Sequence, residues 1–206
     1  MNDKIQKKNP LVITICREFG AEGHEIGKVL SEKTGIPLYD KDLLEAAAKE
    51  IDASIDQAAK IDEKPSKGII SSYLLVHNEI PNDKLFHAES NRIRLLAQEK
   101  SCIIVGRLGD YILRERENTL NVLIYAPFSF REALIQKKRN ISKAEATKLV
   151  RRMDSTRNSY YDFYTDGKWN HQTGKDLMID RSAFGIAGCA EMIMTAIELK
   201  TVLLHL

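Results

Sequence analysis

The sequence predicts a single α/β domain, residues 1–206, built on a five-stranded parallel sheet. Two observations carry that expectation. Short, nearly all-apolar runs recur along the chain, and segments of helical periodicity separate them. Strands that alternate with helices run parallel with right-handed crossovers, and strands covered on both faces lose the polar alternation of an open sheet. With 206 residues, 43% hydrophobic and 29% charged, the chain is long enough for one sizeable core.

Leu11-Val-Ile-Thr-Ile-Cys16 reads as the first strand. A glycine-bearing loop, Arg17 to Gly23, leads into a helix with Ile26, Val29 and Leu30 on one face. Gly35–Asp40 is a short second strand, and Pro37 places it at an edge. Asp40 then stands before an alanine-rich helix. From Ile51 to Glu89 the turn signals Lys64-Pro65, Gly68 and Pro81-Asn82 mark helices and loops inserted beside the sheet, one helix being capped by Ser54 with Gln57. A helix from about Glu89 to Lys100 leads to the third strand, Cys102–Gly106. The fourth, Leu120–Ala126, stops at Pro127. Ser129 with Glu132, and Ser142 with Glu145, read as capping boxes for the next two helices. Asp176–Asp180 is the fifth strand, and an apolar helix, about Gly185 to Lys200, closes the domain.

No apolar run approaches the ~20 residues of a membrane helix, and the polar opening decapeptide does not read as a secretory signal. Cys16, Cys102 and Cys189 sit in apolar segments without metal-ligand spacing, as expected of reduced thiols in the cytoplasm. The histidines show no ligand-like spacing, so no protein-held metal is expected. The net charge of +2 is too small to argue for nucleic acid, but its distribution is uneven. Ile36–Glu63 carries eight acids against three lysines, and Arg131–Arg157 nine bases against three acids. The basic segment suits an anionic ligand, or a solvated helix face.

A strand, a glycine loop and a helix start form a ready phosphate site, because amides at a helix N-terminus lack partners and glycine allows close approach. The loop here reads Arg17-Glu-Phe-Gly20-Ala21-Glu22-Gly23-His24, with Gly27 and Lys28 beyond. It departs from G-x-x-x-x-G-K-[ST]: Gly23 falls about where the lysine belongs, and His24 and Glu25 where the magnesium hydroxyl belongs. Arg17 and His24 are the nearer cations, and Lys28 lies one helical turn on. Spacing alone leaves open a tight turn whose glycines serve packing.

With this loop, and with IPLYDKDLLEAAAKE, IIVGR followed by GDYIL, LNVLIYAP and ISKAEATKLVRRMDSTRNSYYDFYTDGKW, the chain resembles the bacterial cytidylate kinase-like family over about Leu11 to Leu199. The resemblance implies a P-loop NTPase-type three-layer sandwich, a helical acceptor insert near 51–89 and a basic lid near 141–170. It implies a cytoplasmic kinase that binds ATP with Mg2+ and passes the γ-phosphoryl to a nucleoside monophosphate or similar small phosphorylated acceptor. Nucleic acid and membrane are not expected partners, and a homo-oligomer is compatible with the chain.

Arg17, Gly20, Ala21, Glu22, Gly23, His24 and Lys28 would then hold phosphate. Arg151, Arg152 and Arg157 would steady the transferring group, with Asp154 orienting an arginine. Arg107 and Asp110 after the third strand, and Asp40 after the second, would contact the acceptor. A surface basic helix with Glu145–Lys148 and Arg151–Asp154 pairs is the alternative for the lid, and an N-cap is the alternative for Asp40. Tyr160, Tyr161, Phe163, Tyr164 and Trp169 read as hinge packing. The acceptor motif D-[ST]-G-x-x-Y-R is replaced by Asp40-Lys-Asp-Leu-Leu-Glu-Ala46, without its glycine and arginine. A nucleotide-binding pseudo-kinase with a regulatory or protein-interaction role is therefore the second functional reading.

Overall fold

A computed structural model describes residues 10–40, 81–170 and 172–203. The expected helix after Asp40, the helix capped by Ser54 and most of the acceptor insert lie outside them. In chain order the elements are β1 (Val12–Arg17), α1 (Gly23–Thr34), β2 (Leu38–Tyr39), α2 (Pro81–Glu99), β3 (Cys102–Val105), α3 (Gly109–Ile112), β4 (Thr119–Tyr125), α4 (Phe128–Arg139), α5 (Lys143–Thr165), β5 (Leu177–Asp180) and α6 (Arg181–Leu203).

The five strands pair in parallel in the order β2-β3-β1-β4-β5. β1 is the central strand, buried from Val12 to Cys16, and β2 is an edge, as Pro37 implies. Successive side chains on a strand point to opposite faces, and β1 divides accordingly. Ile13 and Ile15 join Ile26, Leu30, Cys189, Ala190 and Ile193 under α1 and α6. Val12 and Cys16 join Ile93, Leu96, Leu108, Ile112 and Tyr161 under α2, α3 and α5. Three layers result, with both faces of the sheet covered.

Three local readings change. α2 begins at Pro81, well before Glu89. The expected Ser129–Glu132 box is absent: α4 starts after Pro127 without a side-chain cap, because Glu132 turns to Thr147 Oγ1 and Lys143 on α5. The Ser142–Glu145 box at the start of α5 is complete. α6 is long and apolar enough, by length and composition, to cross a membrane; here Cys189, Ala190 and Ile193 are buried against the sheet. Its backbone breaks at Gly185 (φ 67°), and the three cysteines are buried free thiols.

Candidate functional site

The carboxyl ends of β1, β2 and β3 meet where an open parallel sheet receives its ligands. The turn after β1 is held by long-range contacts. Arg131, buried on α4, donates from Nη1 to the Phe19 carbonyl (3.0 Å) and to Asp154 Oδ2 (2.6 Å), and from Nε to the Ala126 carbonyl (2.9 Å). Asp154 in turn accepts the Phe19 amide at 2.9 Å. Asp154 thus orients Arg131 rather than pairing with Arg151, and the sequence had offered no signal for Arg131.

Gly20 (φ +85°) lies against Arg131 Cβ and Ile135, so its missing side chain serves packing on α4. Ala21 is in the core, and the buried Glu22 carboxylate pairs with Lys138 (2.5 Å) and Arg181. These three residues brace the turn. The candidate anion cup is narrower than Gly20–His24: it reduces to the start of α1, where the amides of Gly23, His24 and Glu25 have no carbonyl one turn earlier in the helix. Lys28 does not complete it. That side chain is 51% exposed and 3.8 Å from Glu25.

Arg17 does reach the site. Its stem crosses Gly23, where a Cβ would sit 2.7 Å away, and its guanidinium lies on Gly106, where a Cβ would be 1.9 Å from Nη1. Gly106, Arg107 and Leu108 all have positive φ (75°, 57° and 52°). A left-handed leucine is uncommon, and each such non-glycine residue costs on the order of 1–3 kcal/mol. This strained turn presents Arg107 beside Glu89 of α2, with Nε 3.5 Å from Oε1. From α5, Arg157 donates Nη1 to the Arg17 carbonyl at 3.0 Å.

Three guanidinium groups therefore converge. Burial and then the nearness of Arg17 push the Arg157 group down to about 9, while burial lowers Arg107, with Arg17 adding to it. Asp40 opposes both shifts, which places its charge among them, and its Oδ2 is 3.0 Å from His24 Nδ1. Glu89 adds no full negative charge at neutral pH, since burial, then Asp40, raise it to about 8. Asp154 also opposes the shift of Arg157 and is shared with Arg131, which pairs with Glu18 as well, so four guanidinium groups face Asp40, Asp154 and Glu18, and the remaining positive charge suits an anion.

Glu89 also sets a pH dependence. An acid at 4.5 in the unfolded chain and about 8 in the fold leaves the folded state with more bound proton between those values, so stability falls as pH rises across that window. Glu89→Gln is expected to flatten that decline, as measured by urea midpoints from pH 4 to pH 9.

Not every expected residue joins the cluster. Arg151 is exposed, over the Phe128 ring, and Arg152 is exposed, so of the three lid arginines the fold brings Arg157 alone to the end of β1. Asp110 is fully buried. It accepts Tyr161 Oη (2.9 Å), Trp169 Nε1 (2.9 Å) and Lys175 Nζ (2.6 Å), so it ties the chain after α5 to the β3–α3 turn instead of facing a ligand. The aromatic cluster packs as expected: Phe86 and Tyr164 stack at 3.9 Å, and Tyr160 meets Tyr164 edge-on.

The profile of the cytidylate kinase-like family matches residues 12–183. No curated protein matches the chain. Among solved structures, an uncharacterized protein from Eubacterium ventriosum ATCC 27560 is similar over 91% of this chain and 98% of its own, at 25% identity and a TM-score of 0.69. A shikimate kinase from Acinetobacter baumannii, solved in complex with shikimate, is similar over 93% of this chain and 94% of its own (13% identity, TM-score 0.54). One from Bacteroides thetaiotaomicron is similar over 91% and 98% (10% identity, TM-score 0.55). At such identities the likeness is one of fold, and the fold is that of P-loop kinases.

Proposed function

Because this chain belongs to the cytidylate kinase-like family, we propose that it is a cytoplasmic phosphotransferase. It moves the γ-phosphoryl of ATP to a nucleoside monophosphate or a similar small acceptor. The observation that carries the proposal is the convergence of Arg17, Arg107 and Arg157 on the mouth of α1. Phosphoryl transfer asks a protein chiefly for alignment and for positive charge around a group whose charge spreads in the transition state. In this reading the α1 amides and Arg17 hold donor phosphate, Arg157 reaches the transferring group, and Arg107 and Asp40 face the acceptor. Mg2+ arrives with ATP. The open amides fit a phosphate chain, with Arg17 lying over Gly23 and Gly106 as the neighbouring cation, but no serine or threonine follows Gly23 to ligate the metal.

The test is ADP formation with ATP and Mg2+ across nucleoside monophosphates and small hydroxylated or phosphorylated acceptors, expected to require one of them. Absence of turnover with all of them, and with water, sinks the proposal. Glu22 and Lys28 favour a second reading, a nucleotide-binding pseudo-kinase: a carboxylate braces the loop, and the nearest lysine faces outward. Calorimetry that finds ATP binding in the absence of turnover selects it.

A further inference from the structure

We infer that the acceptor is phosphorylated on a hydroxyl group and that Asp40 takes the proton. This rests on the phosphotransferase reading and selects, among its small acceptors, an anionic alcohol.

Asp40 follows the edge strand β2 and sits within the arginine cluster, its side chain 19% exposed and His24 Nδ1 3.0 Å from Oδ2. Across from it, Glu89 is 2% exposed, and its Oε1 makes no hydrogen bond among the described residues. Arg107 Nε stands 3.5 Å away, too far for a full hydrogen bond, so that oxygen can still take one from a ligand. Burial and Asp40 hold Glu89 protonated at neutral pH, so one carboxyl group of the pair donates and the other accepts. That pairing suits a hydroxyl.

Charge and proton balance decide between acceptors. A monophosphate dianion attacks through an oxygen that carries no proton, and an adjacent carboxylate only repels it. An alcohol oxygen must lose a proton as it attacks, so a carboxylate within reach lowers its barrier. In the step, the acceptor O–H bond breaks and its proton passes to Asp40. The acceptor oxygen bonds to the γ-phosphorus of ATP, and the bond from that phosphorus to the β–γ bridging oxygen breaks, its electron pair leaving with ADP. His24 holds Asp40 in line, and Arg107 beside Glu89 supplies the cation for a carboxylate or phosphate carried elsewhere on the acceptor.

The test uses the full chain with ATP and Mg2+. ADP formation is measured with D-glycerate, D-gluconate, shikimate and glycerol 3-phosphate, with nucleoside monophosphates, and with water alone as the smallest hydroxyl acceptor. At least one alcohol is expected to exceed every monophosphate. Asp40→Asn is expected to lower kcat for that alcohol, and for water, by about 10²–10⁴-fold, with little change in KM for ATP; its melting temperature should fall, because Asp40 offsets the charges of Arg107 and Arg157. Asp40→Glu, which keeps the proton acceptor, is expected to retain most of the activity. Turnover of monophosphates without alcohols overturns the inference and leaves the phosphotransferase reading standing. So does alcohol turnover indifferent to Asp40→Asn, or equal loss in Asp40→Asn and Asp40→Glu. No ADP from any acceptor or from water overturns both.

Discussion

Replacing Arg157 by methionine is expected to lower kcat for ADP formation by about 10²–10³-fold, the usual loss when a charge-stabilising donor is removed from a phosphoryl or oxyanion site. The same substitution is expected to raise the melting temperature of the ligand-free protein. Arg157 lies among Arg17 and Arg107, and the lowered value of about 9 means that the fold disfavours its charged form. Above about 9 the folded chain gives up this proton while the unfolded chain still holds it, so stability from this group rises with pH there. At pH 7 the charge is present in full and costs stability. Stability set aside for function is a common pattern at active sites. Inorganic phosphate should raise the melting temperature of the natural chain, and raise that of Arg157→Met much less. Arg157→Lys keeps charge without the guanidinium fork and should recover only part of the turnover. Unchanged turnover in Arg157→Met would remove Arg157 from the mechanism.

Lys175→Met is the largest expected stability loss. Lys175 Nζ and Asp110 Oδ2 are 2.6 Å apart, with side chains 1% and 0% exposed. Removing the cation leaves a carboxylate sealed in the core with, among the described residues, Tyr161 and Trp169 as its remaining donors. Breaking a buried pair in this way costs about 3–5 kcal/mol, a drop of roughly 6–20 °C for a chain of this length. The double variant Asp110→Asn, Lys175→Met removes the stranded charge and should recover much of the loss, because the amide oxygen still accepts from both rings. Calorimetric melting of the single and double variants decides this. Equal destabilisation of the two would mean that lost packing, not the orphaned charge, is responsible.

The fold was legible because its cues are local. The apolar runs at 11–16, 102–106 and 120–126 could be covered only inside a two-sided sheet, and Pro37 kept β2 at the edge. The grouping of several candidate residues was legible in outline. Arg17, Gly23, His24, Asp40, Arg107 and Arg157 stand at the ends of β1, β2 and β3, or reach them from α5. Gly20, Ala21 and Glu22 brace the turn instead of holding phosphate, and other assignments changed because they depended on side-chain direction. Lys28 is on the outward face of α1, Arg151 and Arg152 are on the exposed face of α5, and Asp110 turns inward to Lys175. Two residues were missed for the same reason. Arg131 and Glu89 look like ordinary helix charges, and their burial arises from α5 and β3 packing over them.

The sequence by itself determined the strand and helix succession, the glycine turn and the supply of cations, since periodicity and backbone freedom are properties of neighbouring residues. Only the tertiary structure decided which charges meet. Burial and convergence come from contacts more than a hundred positions apart, such as Arg157 on Arg17, and the loss of water at those contacts makes the same guanidinium group a solvated surface charge in one place and a buried, disfavoured charge in another.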